Sequence, residues 1–266
     1  MAFSGGYIFK HFEGAAEPVL RDFPTPETPV GAALPPVKGH PRAPWRLERP
    51  ELTGLFRSSG CHLLYGSRFD APDRFDTVRF CIINAVHNGP LNQAWMPEMF
   101  GDPDLAALSV RTLKTLFPHA EITVAVNRRN RRSIDSLDIG GLAAVRVMSD
   151  RYPQEFPELL TRDIAGRQAG PDSVLVIPFE DALLTGECLA RGIPITGRII
   201  PVYGPGASRP GWRRIPAGTS FGEIRARLLK SEEHGPWRVV RGNIFTGKTV
   251  DSDEEAVSWE DREITV

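Results

Sequence analysis

Hydrophobic positions along the chain change rhythm near residue 195. Upstream of that point, short apolar runs alternate with stretches of helical period. Residues 76–84 (DTVRFCIIN), 121–126 (EITVAV), 144–148 (AVRVM) and 173–177 each predict a strand, the first by its continuous apolar run. Between the first two, Asp102 and Pro103 offer an N-cap and a first-turn proline. Ala106, Val110, Leu113 and Phe117 follow at helical spacing and predict one buried face. Residues 182–191 predict the last helix of this region, and 52–60 a short one ahead of it. Strands alternating with helices at this spacing predict right-handed βαβ units. The expected fold class is therefore α/β, with a Rossmann-like, mainly parallel sheet.

Downstream, Ile199, Ile200, Val202 and Tyr203 supply β-formers. Gly204, Gly206 and Gly211, with Pro205 and Pro210, stop that strand, and 212–215 returns. Ser220 stands three residues before Glu223, the spacing of a capping box. Phe221, Ile224, Leu228 and Leu229 then mark a helix face. Residues 237–240 and 243–245 predict two more strands, which together make a small β-grasp domain. The organisation expected is a docking strand and proline-rich linker over 1–50, a Rossmann-like domain over 51–194, the β-grasp domain over 195–250, and an acidic tail with a short strand over 251–266. In the first of these, Tyr7, Phe9 and Phe12 are too apolar for a free tail and predict a docked segment.

Composition narrows the partners. The 266 residues carry 32 basic and 33 acidic side chains, a net charge of -1, which argues against nucleic acid as the main partner. Cys61, Cys81 and Cys188 are scattered and form no CxxC pair, so they build neither a zinc site nor an iron–sulfur cluster by themselves. That usage suits a reducing cytoplasm. The N-terminal stretch MAFSGGYIFKHFEG has no signal-peptide character, and no run approaches the ~20 apolar residues of a membrane span.

In an open α/β sheet, ligands bind at the carboxyl ends of the strands. The first such end carries Asn84, His87 and Asn88, which can line a pocket or serve a turn fixed by Asn-Gly-Pro; the turn is favoured. The second is NRRNRR, where Arg128, Arg129, Arg131 and Arg132 can hold an anion or face an acidic partner. The third is the turn around Tyr152 and Gln154, for which structural use is favoured. GPGASRPG joins two strands and opens no helix, so it reads as a hairpin and not a phosphate cradle. No catalytic triad and no metal set follows from spacing.

Several stretches taken in order resemble two related families. RYPQEFPELLTRDIAG and the run from Val174 through ALLTGECLARGIPITGRIIPVYGPGASRPGWRRIPAGTSFGEI resemble the C subunit of the Rnf ferredoxin:NAD oxidoreductase, with its YPQG-like turn and its IGT before a helix. The LTGE helix and GPWRVVRGNIFTGKTV are similar to the A subunit of the sodium-translocating NADH:quinone reductase, as is LTGLFRSSGCHLLYGSRF. CIINAVHNGPLNQAWMPEMF falls where the families carry NAxExEP or TAxDTNPL. The resemblance implies a sheet domain like the flavin subunit of respiratory complex I, followed by a β-grasp domain of the soluble-ligand-binding type. It also implies partnership with other subunits of a membrane-bound oxidoreductase at the inner face of the cytoplasmic membrane, and contact with quinone.

The departures are as informative. The Rnf subunit's GxGGAGFP flavin loop has no match, and its acidic strand-end residues, expected to contact flavin or nucleotide, fall on His87 and Asn88. No CxxCxxCxxxCP motif occurs, and no lipoyl-like sandwich precedes the sheet domain. The expectation is a cofactor-free peripheral subunit that serves assembly or docking. Tyr7, Phe9, Phe12 and the four arginines of the basic run would face its partners. The alternative is a stand-alone flavin- or nucleotide-binding oxidoreductase using the strand ends.

Overall fold

The computed structural model describes residues 43–66, 69, 72–89, 103–135, 137, 139, 141–208, 210–230 and 237–266. The expected docking segment with Tyr7, Phe9 and Phe12, and the linker as far as residue 42, lie outside the described residues. Two compact units are present, the first ending at Ile195 and the second carrying Thr196–Val266.

The first unit opens with helix α1 (Arg49–Ser58), in which Pro50 sits in the first turn and Leu52 and Phe56 are buried. A short helix α2 (His62–Tyr65) follows. A 3-10 turn at Pro72–Asp76 then delays the first strand, so β1 is Phe80–Ala85 and does not begin at Asp76. Next come α3 (Pro103–Leu116), β2 (Glu121–Asn127), α4 (Arg131–Asp135), β3 (Ala144–Met148), α5 (Pro157–Ile164), β4 (Val174–Pro178) and α6 (Phe179–Arg191). The strands form a wholly parallel sheet in the order β3-β2-β1-β4. This is the Rossmann-like arrangement that the alternating pattern predicts.

Side chains alternate across a strand, so neighbouring residues of β1 serve opposite faces. Ile82 meets Leu160 of α5, with Ala125 and Val174, on one face. On the other face, helix α6 packs on β1 and β4 and runs along α3. Every residue of α6 from Phe179 to Ala190 is buried. Such a helix needs contact on all sides, and its LTGE sequence supplies it. Thr185 accepts a hydrogen bond from Tyr65 Oη at 2.8 Å and donates to Asp181 O at 2.8 Å. Gly186 lets α3 approach: a Cβ there would stand 2.1 Å from Ser109 Oγ and 2.9 Å from Ser109 Cβ. An aromatic cluster closes this side, with Phe75 stacked on Phe117 at 5.4 Å and edge-on to Phe56 at 5.5 Å. Cys61 and Cys188, far apart in sequence, meet in the core as free thiols; the hydrogen bond between them, with burial, pushes the Cys61 thiol well above its usual range.

In the second unit, β5 (Gly197–Tyr203) and β6 (Gly211–Pro216) form the expected antiparallel hairpin. Helix α7 (Phe221–Leu228) buries Phe221, Ile224 and Leu228 against the sheet. Its capping box is half made. Ser220 Oγ accepts from Glu223 N at 3.1 Å, while the Glu223 carboxylate pairs with Arg227 Nη2 at 3.0 Å. The short strands β7 (Val240–Arg241), β8 (Lys248–Thr249) and β9 (Ile264–Thr265) complete a mixed sheet in the order β6-β5-β9-β7-β8. The strand expected over 243–245 is a turn instead. Asn243 Oδ1 accepts from Phe245 N at 2.8 Å and Thr246 N at 3.0 Å, which competes with strand pairing. Residues 251–266, expected as an acidic tail with a short strand, contribute β9 to the middle of this sheet, parallel to β5 and antiparallel to β7.

Candidate functional site

The parallel register brings the carboxyl ends of all four strands to one edge. Asn84 stands opposite Ala125 on β2 and Pro178 on β4, and Asn127 stands opposite Met148 on β3. The chain order reverses between β1 and β4, which makes this edge the switch point where the fold class takes ligands. Three carboxamides dominate it. Asn84 Oδ1 accepts from Val86 N at 3.0 Å, and its Nδ2 donates to Glu155 O at 2.9 Å. Asn88, only 2% exposed, donates from Nδ2 to Ser149 O at 2.9 Å and Arg151 O at 3.2 Å. Asn127, fully buried, donates to Asn88 Oδ1 and accepts from His87 N at 2.9 Å.

Arg129 closes this network from outside, its Nη2 donating to His87 O at 2.6 Å and to Asn88 Oδ1 at 3.5 Å. The ends of β1 and β2 and the segment after β3 are thus laced by side chains that satisfy one another. A buried amide left without such partners costs about 1–3 kcal/mol, so each tie holds the others in place. Burial and the Arg129 guanidinium pull the His87 imidazole down to about 4, so at neutral pH it is an uncharged ring. Glu155, half-buried beside Asn84, has its carboxyl raised by burial. As chemistry, this edge offers amides, a neutral imidazole and one guanidinium. Among the described residues of this edge, no thiol or hydroxyl is hydrogen-bonded to His87 or Glu155.

The structure therefore brings together Asn84, His87, Asn88 and Arg129 from among the sequence candidates. Tyr152 and Gln154 belong to the adjoining segment after β3, but their side chains turn elsewhere. Tyr152 rests edge-on against Phe156 at 5.5 Å, and Gln154 Nε2 donates to Asp163 Oδ2 at 3.1 Å. The basic run is divided. Arg131 pairs with Asp135 at 2.6 Å, Arg128 and Arg132 are exposed, and only Arg129 reaches the strand ends. Sequence reasoning missed Asn127 and Glu155. Asn127 was visible as the polar last residue of an apolar strand, one position before the arginines of the basic run. Among the described residues, no three His, Cys, Asp or Glu side chains gather as a metal site.

No family model and no curated protein matches the chain. Solved structures do. Two crystal structures of an NAD+-reducing [NiFe]-hydrogenase align, one in the air-oxidized state at 14% identity and TM-score 0.56, the other in the H2-reduced state at 13% and 0.60. The alignments cover 85% and 86% of this chain, but 47% and 49% of the hydrogenase chains, so the chain spans about half their length. At this identity the likeness establishes the fold. The chain shares the fold of the aligned half of the hydrogenase chains.

Proposed function

We propose that the chain is a non-catalytic subunit of a multi-subunit redox complex, related to the NADH:quinone reductase and Rnf assemblies, and that it serves assembly and docking. The observation that carries this reading is the carboxyl edge of the first sheet. There Asn84, Asn88, Asn127 and Arg129 are committed to one another and to backbone groups. A nucleotide or flavin at this edge needs glycine-rich backbone or free polar side chains. The laced amides supply neither, and no glycine-rich flavin loop stands in the sequence. The fold likeness to NAD+-reducing hydrogenase chains supports a setting among redox partners. No helix among the described residues is long and apolar enough to cross a membrane, so contact with a membrane would run through partner subunits on its inner face. Quinone, if bound, would be shared with such a partner.

The test is mild detergent solubilisation of native membranes, native-gel separation and mass spectrometry of the band that holds this chain. Co-migration with flavin- or cluster-bearing proteins is expected, with no flavin released from the purified chain itself. Recovery of the chain alone, carrying a visible flavin spectrum, would overturn the proposal in favour of a stand-alone flavin enzyme.

A further inference from the structure

A second feature of the first unit lies away from the carboxyl edge. A cavity of about 640 Å³ opens between α5 and β4, a strand that borders the sheet among the described residues. Its volume falls within the ~300–1,000 Å³ of ordinary small-molecule sites. Side chains from both faces of β4 line it. Val174 and Val176 belong to the cluster packed under α5, while Leu175 points to the opposite face, where Tyr65 also contributes to the wall. Ala169 and Pro157 extend the apolar lining.

The polar rim is uneven. Arg162, in the last turn of α5, gives its Nε to Asp163 Oδ1 at 2.8 Å, and Asp163 also takes Gln154, so this guanidinium is both anchored and locally neutralised. Arg167 stands exposed on the loop just beyond Gly166, whose φ is +90°, and both residues line the cavity. No ion pair to Arg167 occurs among the described residues. The one lining carboxylate, Glu158, belongs to the first turn of α5, at the other end of the helix from Arg162. An apolar trough with an uncompensated guanidinium at one end favours a ligand of matching polarity.

We infer that this cavity binds an amphipathic monoanion, its aliphatic or aromatic body on Val174, Val176 and Ala169 and its anionic head against Arg167 with Arg162 in support. Carboxylate, sulfonate and similar heads share that chemistry. The site is separate from the laced carboxyl edge and does not depend on the chain's having partner subunits.

The full chain would be titrated with 1-anilinonaphthalene-8-sulfonate, followed by displacement with decanoate and, separately, with decanol. Saturable fluorescence is expected, displaced by decanoate and about tenfold less well by decanol. Arg167→Gln, a surface change that leaves the fold intact, should weaken the probe about three- to tenfold, and Arg167→Glu more. Ala169→Trp should abolish binding by filling the trough, and circular dichroism would separate loss of the site from loss of fold. Failure to saturate, equal displacement by decanol and decanoate, or Arg167→Gln binding within twofold of the parent would each overturn the inference.

Discussion

Helix α6 in the first unit and strand β9 in the second are both central, yet different forces hold them. Around α6 the contacts are close and mostly those of packing. Gly186 admits Ser109, and Thr185 takes the hydroxyl of Tyr65, whose ring lies edge-on to Phe56 at 5.2 Å. Strand β9 has only Ile264 and Thr265 in ladder pairing, too little to hold by itself. Polar contacts secure the segment that leads to it. Arg241 makes a two-point contact with Asp261 at 3.0 Å and 3.0 Å, donates to Ala256 O, and lies over the Phe221 ring at 5.0 Å. Asp261 in turn accepts from Ser258 N at 2.6 Å. Arg198, 2% exposed, donates to Trp259 O. A thirteen-residue helix buried on every side is held chiefly by close packing, with the Tyr65–Thr185 hydrogen bond added, whereas a two-residue strand after a polar segment needs directed contacts.

The sharpest way to break that comparison is to remove its central cation. Arg241→Met removes the guanidinium that lies over Phe221 and leaves Asp261, 8% exposed, with Ser258 but without its cation. Breaking a buried pair from one side costs about 3–5 kcal/mol, and the partial exposure of Arg241 places this case near the lower end. Amide hydrogen exchange should show protection lost first at Val240, Ile264 and Thr265. Unchanged protection there would mean that apolar packing holds β9 after all.

Next in size is the contact that α6 depends on. Gly186→Ala drives a methyl group into Ser109, and overpacking of this kind costs about 1–3 kcal/mol. Adding Ser109→Gly clears the opposing side chain and should recover part of the loss, beyond what the two single changes predict by addition. Strict additivity in chemical denaturation would show that the close approach of α3 and α6 is not what requires glycine. A smaller effect is expected from Asn127→Ala at the laced edge. It strips His87 N of its acceptor and Asn88 Oδ1 of one of two donors, at a cost toward the lower end of about 1–3 kcal/mol, with the damage read as faster exchange at residues 86–88.

These three positions also mark what the sequence can and cannot disclose. The βαβ rhythm was legible because each element carries its own period: Ala106, Val110, Leu113 and Phe117 are buried as their spacing predicts. The hairpin of β5 and β6 was legible because glycine and proline punctuate it. By contrast, the place of β9 is set by parallel pairing with a strand some sixty residues earlier, and two apolar residues near the chain end give no local sign of it. The turn at Asn243 went unseen because its side chain takes the amides that a strand would use. At the candidate site, Asn84, His87 and Asn88 were found by their place after an apolar strand. Asn127 was not, because its meaning comes from register: only once β1 and β2 lie side by side does it face His87 and Asn88.

The last expected effect is absent at neutral pH and is the most specific to the laced edge: it appears as a pH dependence. In the folded chain the His87 imidazole is held to about 4, against about 6.5 when unfolded. Between those values the unfolded chain binds a proton that the folded chain does not, so stability falls as pH drops through this window and is flat above it. Below about 4 both states are protonated and the dependence ends. His87→Gln, which keeps a neutral polar side chain, should flatten the slope between pH 6.5 and 4 while leaving stability at pH 7.5 nearly unchanged. Denaturant midpoints measured at half-unit pH intervals give the comparison. A slope equal in parent and variant would mean that Arg129 and burial do not keep the ring neutral. The lacing would then tolerate a charged imidazole at its centre, and the edge would be free to act as a proton-binding site.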